Sequence, residues 1–335
     1  GKGNSILEEL LPMKLTYGEI EGSMRLRESI STLYQNQTIE NIVVTHGAIG
    51  ANALVHETMV SEGDHVISIC PTYQQHYSIP ESYGAEVEIL WLKPENNFLP
   101  DLIELKSMLR SNTKLIVLNN PNNPTGALMM DEYLNNFIDV IAPSGAYVLC
   151  DEVYRGTNQE GTGFAPAMAD IYDKGISVSS MSKVFSLAGI RLGWIAGPRE
   201  VLESVMIRRD YNTISVGMID DYFASLALEN KEKIIERSQN ITRGNLKILD
   251  EWVSNEPSIT YIKPKSGTTA LLRYDLEMTS RDLCIQLLQN TGVMFTPGSV
   301  MEMEGWLRIG YANNPQVLSS GLKLVGEFLS ELRKR

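Results

Sequence analysis

The sequence predicts an α/β protein: a large domain with a mostly parallel sheet between helices, then a smaller α+β domain at the C-terminus. Two observations predict this fold class. Short apolar runs alternate with helix-like patterns from about residue 40 to GIRLGWIAGP at 189–198, which is typical of parallel strands joined by helices on both faces of a sheet. Long helical patterns, two or three strand-like runs and two further helices then follow. We therefore expect an N-terminal segment over residues 1–15, a large domain over 16–200 and a small domain over 201–335.

Each predicted strand is a short apolar run bounded by polar or turn-forming residues. In chain order, the strand-like runs of the large domain are ENIVVTHG, DHVISIC, AEVEILWL, KLIVLNN, AYVLCDE and ISVSS. The helix-like segments between them are AIGANALVHETMV, QQHYSIPESYG, DLIELKSMLR and DEYLNNFIDVI. Helical patterns extend from Glu200 to about Val253, and ITYIKP, TTALLRYD and WLRIGYA are the strand-like runs of the small domain. Ligands of parallel sheets bind at the carboxyl ends of the strands, so polar residues directly after an apolar run are site candidates.

Composition and charge limit the functional classes. The 335 residues are 43% hydrophobic and 21% charged, as in ordinary globular proteins. A net charge of −12, spread along the chain, argues against nucleic acid or an anionic membrane as the main partner. Cys70, Cys150 and Cys284 are widely spaced, and the histidines lack metal-ligand spacing, so we expect no disulfide framework, no metal site and a cytoplasmic protein. We also expect neither a membrane span nor a signal peptide.

A lysine follows the run ISVSS, which is the most informative segment. Lys183 comes shortly after Ser180, and Arg191 stands eight residues further on. A lysine after a strand is ordinarily a solvated cation, because lysines are rarely buried. The nearby Ser180 and Arg191 favour a different interpretation. A Schiff base needs a tethered lysine with a lowered pKa, and a phosphate ester is bound by hydroxyl and guanidinium groups.

Three weaker motifs also follow apolar runs. Asn123, in LNNPNNPTG, belongs either to a polar turn or to a site where its amide donates to a phenolate oxygen of a planar ligand. Asp151 and Tyr154, in DEVY, belong either to a salt bridge or cap, or to a pair that binds a pyridinium nitrogen and a phenolate oxygen. At Gly47, in VVTHGAIGAN, a strand ends and a helix begins, and such amides bind phosphate. The spacing there is that of neither a dinucleotide fingerprint nor a Walker loop, which counts against NAD and ATP.

In this order and spacing, the motifs resemble the class I/II aminotransferase family of fold-type I, pyridoxal-phosphate-dependent enzymes. GWIAGP after Arg191 belongs to the same pattern, and the similarity extends from about Tyr17 to the C-terminus. The resemblance implies the cofactor pyridoxal 5'-phosphate and, as reactants, an amino acid and a 2-oxo acid.

The resemblance also implies a role for each residue. Lys183 would form the Schiff base with the cofactor and later move a proton at the substrate's α-carbon. Asp151 and Tyr154 would be the other catalytic residues, and Asn123 would bind the cofactor with them. Arg308, in GWLRIGYAN, would bind the substrate's α-carboxylate together with Asn123, and a planar guanidinium suits that task.

The phosphate ligands that the resemblance implies are Ser180, Arg191, Gly47, Ala48 and Ile49. Tyr73, in CPTYQQHY, would stack on the pyridine ring. Tyr17, in LTYGEIEG, would reach the phosphate of the neighbouring subunit, which implies a homodimer with shared active sites.

Two features depart from the family pattern. Family members usually carry a longer segment before the tyrosine motif, one that touches substrate; here 16 residues precede Tyr17, so that segment is either absent or lies outside this sequence. Ile49 stands where many relatives have a polar residue. His46, close to the phosphate loop in the sequence, is expected to contact the phosphate ligands and not the phosphate itself. The residue that recognises the substrate's side chain stays open among Arg25, Arg27, Arg155 and the partner subunit.

Three functions are compatible with the sequence. The first is amino-group transfer between an amino acid and a 2-oxo acid. The second is β- or γ-elimination, carbon–sulfur cleavage or side-chain cyclisation, because KSGTTALLRYD at 265–275 resembles the small-domain strand of capreomycidine-synthase-like enzymes, which make cyclic arginine derivatives. The third is a cofactor-binding regulatory module, which requires a DNA-binding segment that this acidic sequence does not display.

Overall fold

Two β-sheets organise the structure, a computed structural model that describes residues 2–334. The strands are β1 (Ile42–Thr45), β2 (His65–Cys70), β3 (Glu86–Trp91), β4 (Thr113–Asn119), β5 (Tyr147–Asp151), β6 (Gly175–Ser180), β7 (Gly193–Ala196), β8 (Ile259–Tyr261), β9 (Thr269–Tyr274), β10 (Thr296–Pro297) and β11 (Trp306–Gly310). The α-helices are α1 (Lys2–Leu10), α2 (Met24–Ser31), α3 (Gly47–Met59), α4 (Gln75–Ser82), α5 (Leu102–Met108), α6 (Asp131–Ile141), α7 (Met168–Ile171), α8 (Arg199–Arg209), α9 (Met218–Leu228), α10 (Lys231–Asn255), α11 (Ser280–Thr291) and α12 (Pro315–Leu332). Gly1 of the predicted N-terminal segment and Arg335 of the predicted small domain lie outside the described residues.

The large sheet has seven strands in the order β1-β7-β6-β5-β4-β2-β3. Strand β7 is antiparallel to both of its neighbours, and the remaining pairs, from β6 to β3, are parallel. The predicted fold class, a mostly parallel sheet between helices with a smaller α+β unit, is confirmed.

Helices cover both faces of the large sheet, as alternate residues of β4 illustrate. Leu115 and Val117 pack in one core cluster with residues of α3 and α8, whereas Ile116 and Leu118 pack in another with residues of α5 and α6. Successive side chains of a strand point to opposite faces, so a strand buried on both faces reads as a continuous apolar run.

The parallel strands bring the polar residues that follow them to one edge of the sheet. Strands β4, β5 and β6 are neighbours, and they end at Asn119, Asp151 and Ser180. Asn119 lies directly opposite Asp151 in the strand register. Helix α3 begins at Gly47, two residues after β1 ends, and presents its N-terminus near this edge.

The smaller sheet is antiparallel, with the order β10-β11-β9-β8. Its core is formed by apolar side chains of β9 and β11 together with α10, α11 and α12. The runs ITYIKP, TTALLRYD and WLRIGYA correspond to β8, β9 and β11. Strand β10 was not predicted, because two residues are too few to show a periodicity.

The boundary between the two units stays a prediction. We predicted it at residue 200, but Val201, Leu202 and Val205 of α8 pack against the large sheet, and Ala224 and residues beside it in α9 pack in a cluster with β1 and β7. We therefore propose that the small domain begins later, at α10.

No helix within residues 2–334 combines the length and the apolarity needed to cross a membrane. The three cysteines are free thiols in the interior, and burial raises the pKa of each.

Candidate active site

A cavity of about 420 Å³ opens at the carboxyl ends of β4, β5 and β6. It brings together most of the residues that the sequence singled out: Lys183, Asp151, Tyr154, Asn123, Ser180, Arg191, Ala48, Ile49, Tyr73 and Arg308. Gly47 and Tyr17 are not among its lining residues.

Lys183 follows β6 and its side chain opens into this cavity. Burial lowers the pKa of its amine; the positive charge of Arg308 lowers it further, and the carboxylate of Asp151 opposes the shift. The Nζ atom lies 5.8 Å from the centroid of the Tyr154 ring. An amine with a lowered pKa is neutral in a larger fraction of molecules, and the neutral form is the nucleophile.

Asp151 ends β5 and is 7% exposed. Its Oδ2 accepts a hydrogen bond from Asn52 Nδ2 at 2.8 Å, and its Oδ1 accepts from the backbone N–H of Val153 at 3.1 Å. His76 Nε2 lies 3.5 Å from Oδ2. A carboxylate this buried needs such donors, and here they leave it facing the cavity.

Tyr154 and Asn123 contribute polar groups to the same cavity. Tyr154 is 3% exposed, and burial raises the pKa of its phenol, while a hydrogen bond with the Thr268 side chain opposes that shift. The backbone N–H of Asn123 donates to Asn119 Oδ1 at 2.6 Å, which fixes the loop. The Oδ1 atom of Asn123 is buried without a partner within the described residues.

Arg191 lies against the N-terminus of α3. A Cβ atom added to Gly47, whose φ is +68°, would lie 3.0 Å from Arg191 Nη2. A Cβ added to Gly193 would lie 2.4 Å from the carbonyl carbon of Gly47 and 2.6 Å from the nitrogen of Ala48. Ser180, 1% exposed, lines the cavity with Arg191. A guanidinium, a hydroxyl and helix N-terminal amides together form a site suited to an anion.

Arg308 reaches the cavity from β11 of the small sheet. Its Nη2 donates to Thr296 Oγ1 at 3.2 Å. Within residues 2–334 no carboxylate lies within ion-pairing distance of this guanidinium. Most of its donors therefore stay available to an anionic ligand.

Three predicted residues are open to solvent in the single chain. Tyr73 is 48% exposed and Ile49 is 47% exposed, both at the cavity. The carbonyl of Ile49 accepts a hydrogen bond from Gln75 Nε2 at 2.7 Å. Tyr17 is 81% exposed and lines a different depression, together with Met218.

The sequence matches the profile of the family described as aminotransferase class I and II over residues 11–320. The protein belongs to this family. A capreomycidine synthase of Streptomyces vinaceus is 30% identical to it over 322 residues, which cover 96% of this chain and 82% of that protein. An aspartate aminotransferase of Pyrococcus horikoshii is 28% identical over 318 residues, which cover 92% and 81% of the two chains. The crystal structure of a PLP-dependent aminotransferase from Streptococcus suis 89-1591 superposes with a TM-score of 0.95 at 42% identity, covering 98% of this chain and 87% of the other.

Class I and II aminotransferases depend on pyridoxal 5'-phosphate, and the residues of the cavity fit that group. The buried carboxylate of Asp151 suits a protonated ring nitrogen. The N-terminus of α3 at Gly47, with the guanidinium of Arg191 against it, suits a phosphate. Lys183 has the lowered pKa that an amine needs in order to bind an aldehyde carbon.

Several residues at the site were not predicted from the sequence: Asn52, Gln75, His76, Asn119, Thr268 and Thr269. A signal existed for Asn52, a single amide within the apolar helical run AIGANALV, four residues after Ala48. Residues four apart share one face of a helix, so Asn52 follows Ala48 on the side that faces the site.

The three arginines left open for side-chain recognition do not line the cavity. Arg25 pairs with Glu229. The guanidiniums of Arg27 and Arg155 donate to backbone carbonyls.

Proposed function

We propose that this protein transfers an amino group between an amino acid and a 2-oxo acid. The observation that supports the proposal most is the meeting of Lys183, Asp151 and Arg308 around one cavity. The three residues offer an amine, a carboxylate and a guanidinium, one for each of the three tasks of the reaction: proton transfer, charge stabilisation and substrate binding.

Bound pyridoxal phosphate supplies the electron sink that lets the α-carbon of an amino acid lose its proton. Asp151 holds the proton of the ring nitrogen, because an opposite charge favours the charged form of the ring. Lys183 tethers the cofactor between turnovers. Once freed, its amine would carry the proton from the α-carbon of the substrate to the cofactor, a task for which its lowered pKa is suited. Tyr154 and Asn123 orient the phenolate oxygen of the ring.

Residues at the two ends of the site hold the cofactor's phosphate and the substrate's carboxylate, and so position the reacting atoms. Arg191, Ser180 and the amides of Gly47 and Ala48 hold the phosphate. Arg308 binds the α-carboxylate of the substrate with its unpaired N–H groups. Since Arg308 belongs to the small sheet and Lys183 follows β6 of the large one, both units are needed for the reaction.

We further propose that the enzyme is a homodimer in which Tyr17 contributes to the phosphate site of the partner. The 81% exposure of Tyr17 and its absence from the lining of its own cavity support this arrangement. Mixing inactive Lys183→Ala with impaired Tyr17→Phe chains tests it: shared sites restore activity in mixed dimers, whereas independent sites give only the sum of the two separate activities.

A cytoplasmic location is part of the proposal. The three free, buried cysteines are compatible with a reducing compartment. Fractionation of the natural host cell tests it, and recovery of the protein outside the cytoplasm would contradict it.

The proposal is tested by the visible spectrum of the purified holoenzyme, recorded while single amino acids are added without any acceptor. We expect the amino donor to remove the yellow absorption band of the bound cofactor, and a 2-oxo acid then to restore that band. A band that no amino acid discharges would refute the proposal.

A second function is favoured by one observation: the capreomycidine synthase of Streptomyces vinaceus is 30% identical to this chain across 96% of its length. An enzyme of that kind would turn over an amino acid by cyclisation or elimination with no acceptor. Sustained product or ammonia formation without a 2-oxo acid would establish it, and strict dependence on the acceptor would exclude it.

A further inference from the structure

An asparagine in the second turn of α3 contacts the carboxylate of Asp151. Asn52 is 1% exposed, and its Nδ2 donates to Asp151 Oδ2 at 2.8 Å. The backbone N–H of Val153 donates to the other oxygen at 3.1 Å. Each oxygen of the carboxylate therefore has one amide donor, and the two donors together fix its orientation.

Both donors are neutral, which distinguishes them from an ion pair. An arginine or lysine in the place of Asn52 would cancel the negative charge of Asp151, whereas an amide orients the carboxylate and leaves its charge available to a group in the cavity. His56, one turn after Asn52, is fully buried, and burial followed by the influence of His76 lowers its pKa to about 3. His56 is therefore neutral, and the histidine that lies beside Asp151 is His76, whose Nε2 is 3.5 Å from Oδ2, farther away than the amide of Asn52.

The direction of the Asn52 amide is determined by its partner. An ionised carboxylate only accepts hydrogen bonds, so the NH₂ group must face Asp151 and Oδ1 must face away. That Oδ1 is buried and has no partner within residues 2–334. An unpartnered buried oxygen is unfavourable, and leucine would fill similar space without it. A role in packing alone therefore does not account for asparagine at this position.

We propose that Asn52 is a positioning residue, which holds the carboxylate of Asp151 toward the ring nitrogen of pyridoxal phosphate. The inference rests on the proposed function, in which Asp151 serves that nitrogen. It adds a residue from α3, the same helix whose N-terminus lies at the phosphate site, so one helix would position both ends of the cofactor.

The test compares the affinity of the cofactor-free protein for pyridoxal phosphate with its affinity for the analogue in which a C–H group replaces the ring nitrogen. In Asn52→Leu, we expect the affinity for pyridoxal phosphate to fall about tenfold, the effect of one lost hydrogen bond to a charged group. The affinity for the analogue should not change, because the analogue presents no nitrogen to Asp151.

Asn245→Leu is the matched control. Asn245 is also 1% exposed, donates through Nδ2 to the carbonyls of Tyr311 and Asn313, and has an unpartnered Oδ1. Its loss should not separate the two cofactors. If Asn52→Leu does not fold, Asn52→Ser is expected to show the same selective loss.

Equal weakening of both cofactors in the Asn52 variants would make Asn52 a packing residue and overturn the inference, as would unchanged binding of both. Asp151→Asn identifies the source of a failure: if it too fails to separate the cofactors, the proposed role of Asp151 is wrong. Because binding requires no turnover, the result does not depend on which reaction the enzyme catalyses.

Discussion

Replacing Arg308 by glutamine should change two separate properties of the enzyme. The guanidinium has one hydrogen bond to Thr296, at 3.2 Å, and no carboxylate partner within the described residues, so most of its donors are free for the substrate. Its charge is also the second-largest cause, after burial, of the lowered pKa of Lys183. Arg308→Gln therefore weakens substrate binding and raises the pKa of Lys183.

The size of the first effect follows from the interaction that is lost. Hydrogen bonds to a charged group contribute about 1.5–3 kcal/mol, which corresponds to a loss of about 10- to 150-fold in kcat/KM. The sign of the second effect follows from the charge: a nearby cation disfavours protonated Lys183, so its removal moves the pKa upward. A neutral lysine is required to capture the cofactor, so the rise of the capture rate with pH should shift to higher pH.

The assays are kcat/KM for the best amino donor and the rate at which cofactor-free protein binds pyridoxal phosphate across a pH series. Arg273→Gln is the control, because Arg273 lies on the adjacent strand β9 and is exposed. It removes the same charge and should leave both properties unchanged. An Arg308→Gln enzyme with unaltered kcat/KM, or with a capture profile shifted to lower pH, would refute the reasoning.

Three further predictions concern stability. Gly193→Ala should lower the free energy of unfolding by about 1–3 kcal/mol, because its Cβ would lie 2.4 Å from the backbone of Gly47, whereas Gly189→Ala has open space and should change little; equal thermal midpoints would contradict this. Arg209→Met should raise the thermal midpoint, because the Arg209 guanidinium is fully buried and no partner for its nitrogens lies within residues 2–334; a lower midpoint would contradict this. The pKa of His56 falls from 6.5 to about 3 on folding, so between these two pH values the unfolded chain binds a proton that the folded chain does not. The free energy of unfolding therefore decreases as the pH is lowered through this range, by up to about 1.4 kcal/mol per pH unit. Urea unfolding of His56→Leu across this range should show a flatter dependence, and an unchanged slope would exclude His56 as its source.

The sequence predicted the parts of the fold that depend on local pattern. Strands buried on both faces appear in the sequence as apolar runs, as KLIVLNN does for β4. Because ligands bind at the carboxyl ends of such strands, the same runs predicted Asp151 and Lys183 as site residues. Strand β10 escaped prediction, since Thr296 and Pro297 are too short a run to carry a periodicity.

Other features depend on contacts between distant segments. Asn52 and Asp151 are 99 residues apart in the sequence, and only the packing of α3 against the sheet brings them together. The domain boundary at residue 200 rested on a change of pattern along the chain, while α8 and α9 pack with the large sheet because of apolar faces whose partners the sequence does not specify.

The central claim, transfer of an amino group at Lys183, is tested most directly by the fate of the substrate's nitrogen. The holoenzyme is incubated with a 2-oxo acid and an amino acid whose α-nitrogen carries a heavy isotope, and products are analysed by mass spectrometry, with Lys183→Ala in parallel. We predict that the label appears in the amino acid formed from the 2-oxo acid, and that Lys183→Ala forms none. Label released as ammonium, or retained in a product formed without the 2-oxo acid, would contradict the claim.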